Sequence, residues 1–135
     1  MNESIEYLNP DGLIKNPAFS HVVVVHGNHK TIYIGGQDSV TPDKEIIGKG
    51  DIKAQTEQVL KNLLLALEGA GAKLENVIKW NIYVVQGQPL QLAFEAFREV
   101  WGQRPNPPAI TLVYIAGLAH PDYLVEMDAV AVVPE

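Results

Sequence analysis

GKGDIKAQTEQVLKNLLLALEGAGA, residues 48–72, decides the fold because it carries the start, the body and the end of one long amphipathic helix. Asp51 is a favourable N-cap residue, and the apolar residues that follow recur at three- and four-residue spacing. This periodicity places one apolar stripe against a core. Gly69 and Gly71 terminate the pattern, so we expect a helix from Ile52 to about Gly69.

Short strand patterns lie on both sides of this helix in the sequence. Strands are expected at residues 21–26, 31–34, 76–85, 109–115 and 124–133, with a second helix from Pro89 to about Trp101. Gly27 and Asn28 predict a β-hairpin between the first two strands, and residues 1–18 read as a lead-in without regular structure. The order β-β-α-β-α-β-β predicts one α/β (α+β) domain over residues 1–135. Its mixed sheet should carry both helices on one face.

The last predicted strand is apolar on both of its sides. One side carries Leu124, Val130 and Val132, and the other carries Val125, Met127, Ala129, Ala131 and Val133. Two helices can cover only one face of the sheet. A partner subunit is the simplest cover for the other face, so the pattern predicts an oligomer.

Composition excludes several classes of function. Ten basic residues face 16 acidic ones, for a net charge of −6, which argues against nucleic-acid binding. The absence of cysteine excludes disulfides, thiolate nucleophiles and cysteine-bound zinc. The apolar runs are too short to cross a membrane and the N-terminus is polar, so the cytoplasm is the expected location.

The four histidines do not form a metal-binding pattern. His21 and His26 are five residues apart on a strand and face opposite ways, while His29 lies in a turn. We therefore expect no metal and no cofactor. His120, in the loop before the last strand, is either an acid–base group or a solvated loop residue.

Seven stretches resemble the RidA/YjgF family of reactive-intermediate deaminases, also known as the endoribonuclease L-PSP family. They are NPAFSH at 16–21, IYIGGQ at 32–37, residues 48–72 as quoted above, VIKWNIYVV at 77–85, FEAF at 94–97, PPAITLVYIAGL at 107–118 and LVEMDAVAV at 124–132. The resemblance implies a chorismate-mutase-like fold and a homotrimer with its sheets facing inward and ligand clefts between subunits. Active relatives hydrolyse enamines and imines to 2-oxo acids and ammonia. In them an arginine binds the substrate carboxylate and a glutamate positions water.

The resemblance also carries the family's functional positions onto this chain. The arginine of the family's P-A-R-[ST] motif corresponds to Ile110, and the residue after it corresponds to Thr111. The serine of the S-G-Q turn corresponds to Gly35, and the tyrosine before the first motif serine corresponds to Phe19. The asparagine early in the second helix corresponds to Gln91, and the glutamate corresponds to Glu126. A bidentate bond to a carboxylate contributes roughly 1.5–3 kcal/mol, which isoleucine cannot supply. We therefore expect the usual 2-imino acid to bind poorly, and the retained Glu126 to disfavour an anion further. Arg104, in the loop at 102–108, is the alternative cation.

Three functions stay open on the sequence. The first is a trimer that binds a small neutral or cationic metabolite between subunits at Phe19, Gly35, Ile110, Thr111 and Glu126. The second is an enamine or imine deaminase, a hydrolase, in which Glu126 orients water and Arg104 supplies the cation. The third is a trimeric scaffold or regulator with a vestigial cleft. Glu126 and Asp128 share a strand face, so they either form a paired-carboxylate site or one of them pairs with a lysine.

Overall fold

Residues 4–135 are described by a computed structural model, so residues 1–3 of the predicted lead-in lie outside the described residues. The described strands are β1 (Ile5–Leu8), β2 (Val22–Val25), β3 (His29–Gln37), β4 (Val77–Val85), β5 (Ala109–Ile115) and β6 (Val125–Pro134). The helices are α1 (Ile52–Gly69) and α2 (Leu90–Trp101), with a short 3-10 turn at Leu74–Asn76.

Helix α1 has the bounds that its sequence predicts. The Asp51 side chain accepts a hydrogen bond from the backbone N–H of Ala54 at 3.1 Å and so caps the first turn. At the other end, the N–H of Ala70 bonds to the carbonyl oxygens of Ala66 and Leu67. The buried stripe of α1 includes Val59, Leu60, Leu63 and Leu67, and it packs into the core.

Strands β3 to β6 form a mixed sheet in the order β3-β6-β4-β5. The β3–β6 and β6–β4 pairs are antiparallel, while β4 and β5 are parallel because α2 crosses over between them. The expected mixed sheet with two helices is confirmed. Trp80 of β4 lies at the centre of the core, with its ring 5.0 Å from that of Phe97 and 6.5 Å from that of Trp101.

Two predictions at the N-terminal end are wrong. Residues 5–8 of the expected lead-in are strand β1, which pairs antiparallel with β2, so that Ile5 faces Val25. The expected hairpin between β2 and β3 does not form, because β3 pairs with β6 instead. A turn signal such as Gly27 specifies only a change of chain direction. The nine residues of β3 gain a longer ladder along β6 than the four-residue β2 could offer.

The two faces of the four-stranded sheet differ sharply. We call the surface that packs against α1 and α2 the helix face; it carries Trp80, Ile82, Val84, Val125 and Met127, all buried. The opposite surface, the open face, carries Tyr33, Asn81, Tyr83, Val113, Glu126 and Asp128. Tyr33 is 80% exposed and Val113 is 41% exposed there, so a single chain leaves apolar surface on the open face.

Candidate functional site

A cavity of about 580 Å³ opens on the helix face. Residues of segment 16–19, helix α2, the loop after it and strand β5 line the cavity, and Ile82 and Met127 contribute side chains from the sheet. Ligand pockets for small molecules commonly measure about 300–1,000 Å³ and are mostly apolar. The size and lining of this cavity are therefore suited to a small organic molecule.

Ser20 holds one wall of the cavity in place. Its side chain is 2% exposed, and its Oγ donates a hydrogen bond to the carbonyl of Pro107 at 2.6 Å. The backbone N–H of Ser20 bonds to the carbonyl of Pro108 at 3.0 Å, and Ser20 forms a parallel bridge with Ala109. These bonds fix the preceding residue, Phe19, beside the start of β5.

Helix α2 supplies the second wall. Phe94, Phe97, Arg98 and Trp101 all line the cavity, and their three- and four-residue spacing places them on one side of the helix. The rings of Phe97 and Trp101 stack with centroids 6.2 Å apart and an angle of 6° between their planes. Trp101 Nε1 also donates to the carbonyl of Arg104 at 2.9 Å, which ties the following loop to the helix.

Both arginines of the chain line this cavity, and no acidic residue is among its described lining residues. Arg104 Nη1 donates to the carbonyls of Val100 and Trp101 at 2.8 Å each, and Arg104 Nε lies 3.4 Å from Glu75 Oε1. Arg98, in contrast, makes no side-chain hydrogen bond or ion pair within residues 4–135. Arg104 was the one substitute cation predicted from the sequence, and Arg98 was missed. The sequence signal for Arg98 was its four-residue spacing from Phe94, which places both side chains on the same side of α2.

The carboxylates lie on the open face, where Glu126 approaches the backbone of Gly36. A Cβ atom at Gly36 would stand 2.3 Å from Glu126 Oε2, so only glycine leaves room for the carboxylate in this position. The adjacent glycine pair also interrupts the β3–β6 register between Ile34 and Gln37. The glycine pair thus combines a break in the strand register with a close approach of a side chain to the backbone.

Asp38 is the partner of Glu126, and sequence reasoning missed it. Burial, a hydrogen bond to Glu126 and repulsion from its charge together raise the pKa of Asp38 to about 7. Asp38 Oδ1 is buried and has no hydrogen-bond partner among the described residues. The Asp38 carboxyl group can therefore donate or accept a proton near neutral pH. Asp38 follows a bulge, so strand alternation could not place it beside Glu126.

Asp128 is bound by neutral donors rather than by a lysine. Its Oδ1 accepts from Asn81 Nδ2 at 2.7 Å, and its Oδ2 accepts from Tyr83 Oη at 3.0 Å. The hydrogen bond to Asp128, with burial and the charges of Asp128 and Glu126, raises the pKa of Tyr83. Asp128 thus organises the open face next to the Asp38–Glu126 pair.

Comparisons with known proteins identify the chain's relatives. The family model described as "Endoribonuclease L-PSP" matches residues 14–133. This chain belongs to the RidA/YjgF family. A RutC family protein of Pyrococcus abyssi is 36% identical over 100 residues, 74% of this chain and 76% of the relative. The human protein named 2-iminobutanoate/2-iminopropanoate deaminase is 27% identical over 114 residues, 84% of this chain and 79% of that protein.

Solved structures of RidA/YjgF proteins share the fold. The crystal structure of the Rid family protein YyfB from Yersinia pestis, described as a protein of unknown function, superposes with a TM-score of 0.84. It is 31% identical, and the match covers 96% of this chain and 99% of that one. The expected family membership and fold are confirmed.

The positions carried over from the RidA/YjgF family divide between the two faces of the sheet. Phe19 and Ile110 line the helix-face cavity, as does Arg104. Thr111 follows Ile110 on β5 and points to the open face, where its Oγ1 accepts from Lys79 Nζ at 2.6 Å. Glu126 lies on the open face as well. One chain cannot bring all of these groups to one ligand.

The remaining predicted residues do not line the cavity. Gly35 is exposed on β3 with open space around its Cα, and Gln91 is exposed in the first turn of α2. His120 lies in the loop before β6, where its Nδ1 accepts from the N–H of Asp122 at 3.0 Å and its ring is 5.2 Å from that of Tyr123. Ligand contacts by these residues stay predictions.

Within residues 4–135, no group of three or more histidine, aspartate or glutamate side chains is placed to hold a metal ion. His21 Nε2 bonds to the carbonyl of Ile14 at 2.6 Å, and His26 contacts Glu6. No helix in the same part of the chain is both long and apolar enough to cross a membrane.

Proposed function

We propose that this chain is a homotrimeric RidA/YjgF protein that binds a small, partly apolar metabolite in clefts between its subunits and does not hydrolyse imines by the arginine-dependent route. The observation that carries the proposal is Ile110 in the wall of the helix-face cavity. Ile110 and Leu112 pack against the core cluster, so this wall is apolar. A carboxylate held against it would lose water without gaining a hydrogen bond.

Assembly is part of the proposal because a single chain leaves both halves of the site incomplete. Tyr33 and Val113 are exposed on the open face, and exposed apolar patches of this kind mark interaction surfaces. The helix-face cavity and the Glu126 carboxylate lie on opposite faces of the same sheet. A second subunit can present its open face to the cavity of the first. We expect light scattering coupled to size-exclusion chromatography to give three times the chain mass of 14.8 kDa.

We further propose that the protein is cytoplasmic and does not bind nucleic acid, and the composition supports both points. The net charge of −6 opposes nucleic-acid binding, and a chain without cysteine suits the reducing cytoplasm.

Ammonia release from freshly generated 2-iminobutanoate tests the proposed chemistry. We expect the wild-type protein to stay close to the uncatalysed rate and Ile110→Arg to exceed it, with Ile110→Leu as the matched control that keeps the wall apolar. A guanidinium at position 110 would restore the carboxylate contact. A fast wild-type rate that Ile110→Arg does not increase would contradict the proposal.

Imine hydrolysis is the second candidate, and two observations favour it. A human relative is named 2-iminobutanoate/2-iminopropanoate deaminase, and Asp38, which lies beside Glu126, can donate or accept a proton near neutral pH. Robust wild-type ammonia release that Glu126→Gln abolishes would establish this function instead.

A further inference from the structure

We infer that Arg98 is the anion-binding residue of the helix-face cavity, and that the cavity takes a small amphipathic monocarboxylate whose apolar end faces Ile110. This inference rests on the proposed function, since it names the class of molecule that the cavity would hold. It places the cation on helix α2, whereas the family resemblance places it on strand β5.

The position of Arg98 on α2 is the first support. Arg98 lies one turn after Phe94 and within one turn of Trp101, and all three residues line the cavity. The aromatic rings provide the apolar part of this wall, and the long Arg98 side chain extends from the same side of the helix. A molecule with its apolar end against β5 would meet Arg98 at its polar end.

The distribution of charge is the second support. The chain has 16 acidic residues against 10 basic ones, yet the charged residues that line the cavity are its two arginines. A cavity that binds neutral or cationic molecules would not need a positively charged lining in a negatively charged protein. The planar guanidinium is also the side chain best matched to a carboxylate, because it donates two parallel hydrogen bonds.

The bonding of the two arginines separates their roles. Arg104 is held by two backbone carbonyls and by Glu75, so its charge stabilises the loop after α2. Arg98 has no such partner within the described residues, and its donors are available to a ligand. Gln103 and Asn16, which also line the cavity, add polar groups.

The class of ligand follows from the apolar wall near β5 and the cation on α2. The walls near β5 are built from Ile110, Leu112 and Met127, which suits a branched aliphatic or aromatic group. The 2-imino acids of the resemblance have their carboxylate next to the reacting carbon. Moving the cation from β5 to α2 moves that carbon as well, so a ligand bound through Arg98 need not be positioned for imine hydrolysis.

Isothermal titration calorimetry with 3-phenylpropanoate and 3-phenylpropanamide tests the inference on the full chain. The two probes share one apolar group and differ in charge. We expect the carboxylate to bind the wild-type protein about tenfold or more tightly than the amide, with the preference shrinking at high salt. Arg98→Gln should remove the preference and leave the amide's affinity unchanged.

Lys61→Gln is the matched control, since Lys61 is an exposed cation of α1 outside the cavity. It removes the same charge and should keep the preference. Equal binding of both probes to the wild type, or an equal loss of both in Arg98→Gln, would overturn the role of Arg98 and leave the proposed binding function intact. Failure of both probes to bind any of the three proteins would count against the proposed function and the inference together.

Discussion

The helix face and the open face are built from the same four strands but have opposite chemistry. Alternate residues of β4, β5 and β6 point to opposite sides. Trp80, Ile82 and Met127 therefore enter the core and the cavity wall, while their neighbours Asn81 and Glu126 belong to a polar network. The difference teaches that residues adjacent in a sequence motif need not serve the same ligand in one chain.

The charges follow the same division. Arg98 and Arg104 line the helix-face cavity, and Asp38, Glu126 and Asp128 lie on the open face. In an assembly that stacks an open face against a neighbouring cavity, the two sets of charges would meet across the subunit boundary. Attraction between opposite charges on two subunits favours one defined orientation of the subunits.

Replacing neighbouring residues on β4 should give the largest difference in the free energy of unfolding between the two faces. Trp80→Ala removes a fully buried ring that contacts Phe97 and Trp101, and we expect the free energy of unfolding to fall by about 3–5 kcal/mol. Asn81→Ala on the open face removes one hydrogen bond to Asp128 and should cost about 1 kcal/mol. Urea unfolding at one protein concentration measures both, and equal losses would contradict the division.

A smaller effect should appear in the pH dependence of stability. The folded-state pKa of Asp38 is raised from 3.8 to about 7, so the folded protein holds a proton that the unfolded chain releases. Stability should therefore be greatest at low pH within this window and fall as the pH rises from about 4 to 7. At pH 8, Asp38→Asn should be more stable than the wild type by about 1 kcal/mol, allowing for the partial exposure of the pair.

Asp43→Asn provides the control for that experiment, because it makes the same change in an exposed loop. Its unfolding curves should keep the wild-type slope with pH. A flat wild-type profile between pH 4 and 7 would mean that folding does not raise the pKa of Asp38.

The smallest contrast lies at the adjacent glycines of β3. Gly36→Ala should push the Glu126 carboxylate aside and cost a few tenths to about 1 kcal/mol, since the clashing atoms belong to the end of a flexible side chain. Gly35→Ala meets open space and should be neutral or slightly stabilising, because alanine restricts the unfolded chain. Thermal unfolding of the two variants ranks them; a greater loss for Gly35→Ala would refute the contact.

The local signals of the sequence predicted much of this fold. The cap at Asp51, the spacing along α1 and the strand patterns of β4 to β6 each depend on neighbouring residues, and the structure confirms them. The pairing of β3 with β6, and of β1 with β2, depends on residues far apart in the chain. The turn signal at Gly27 does not specify which strand pairs with β2 or with β3.

The candidate site shows the same limit. The sequence predicted helix α2 and strand β5, and residues of both line the cavity. The hydrogen bond from Ser20 to Pro107 spans 87 residues of chain, and Asp38 and Glu126 are 88 residues apart. No local pattern reports such contacts, so Asp38 emerged only from the structure, whereas the four-residue spacing of Arg98 from Phe94 was already visible in the sequence.

Methyl NMR spectra provide the most direct test of ligand binding on the helix face. On titration with 3-phenylpropanoate, we predict that the Ile110 and Leu112 methyl signals, which belong to the cavity wall, shift more than the methyl signals of Val113 on the open face. The three residues are neighbours on β5, so the comparison isolates the face of the strand. Shifts confined to Val113, with Ile110 and Leu112 unmoved, would contradict the assignment of the ligand site to the helix-face cavity.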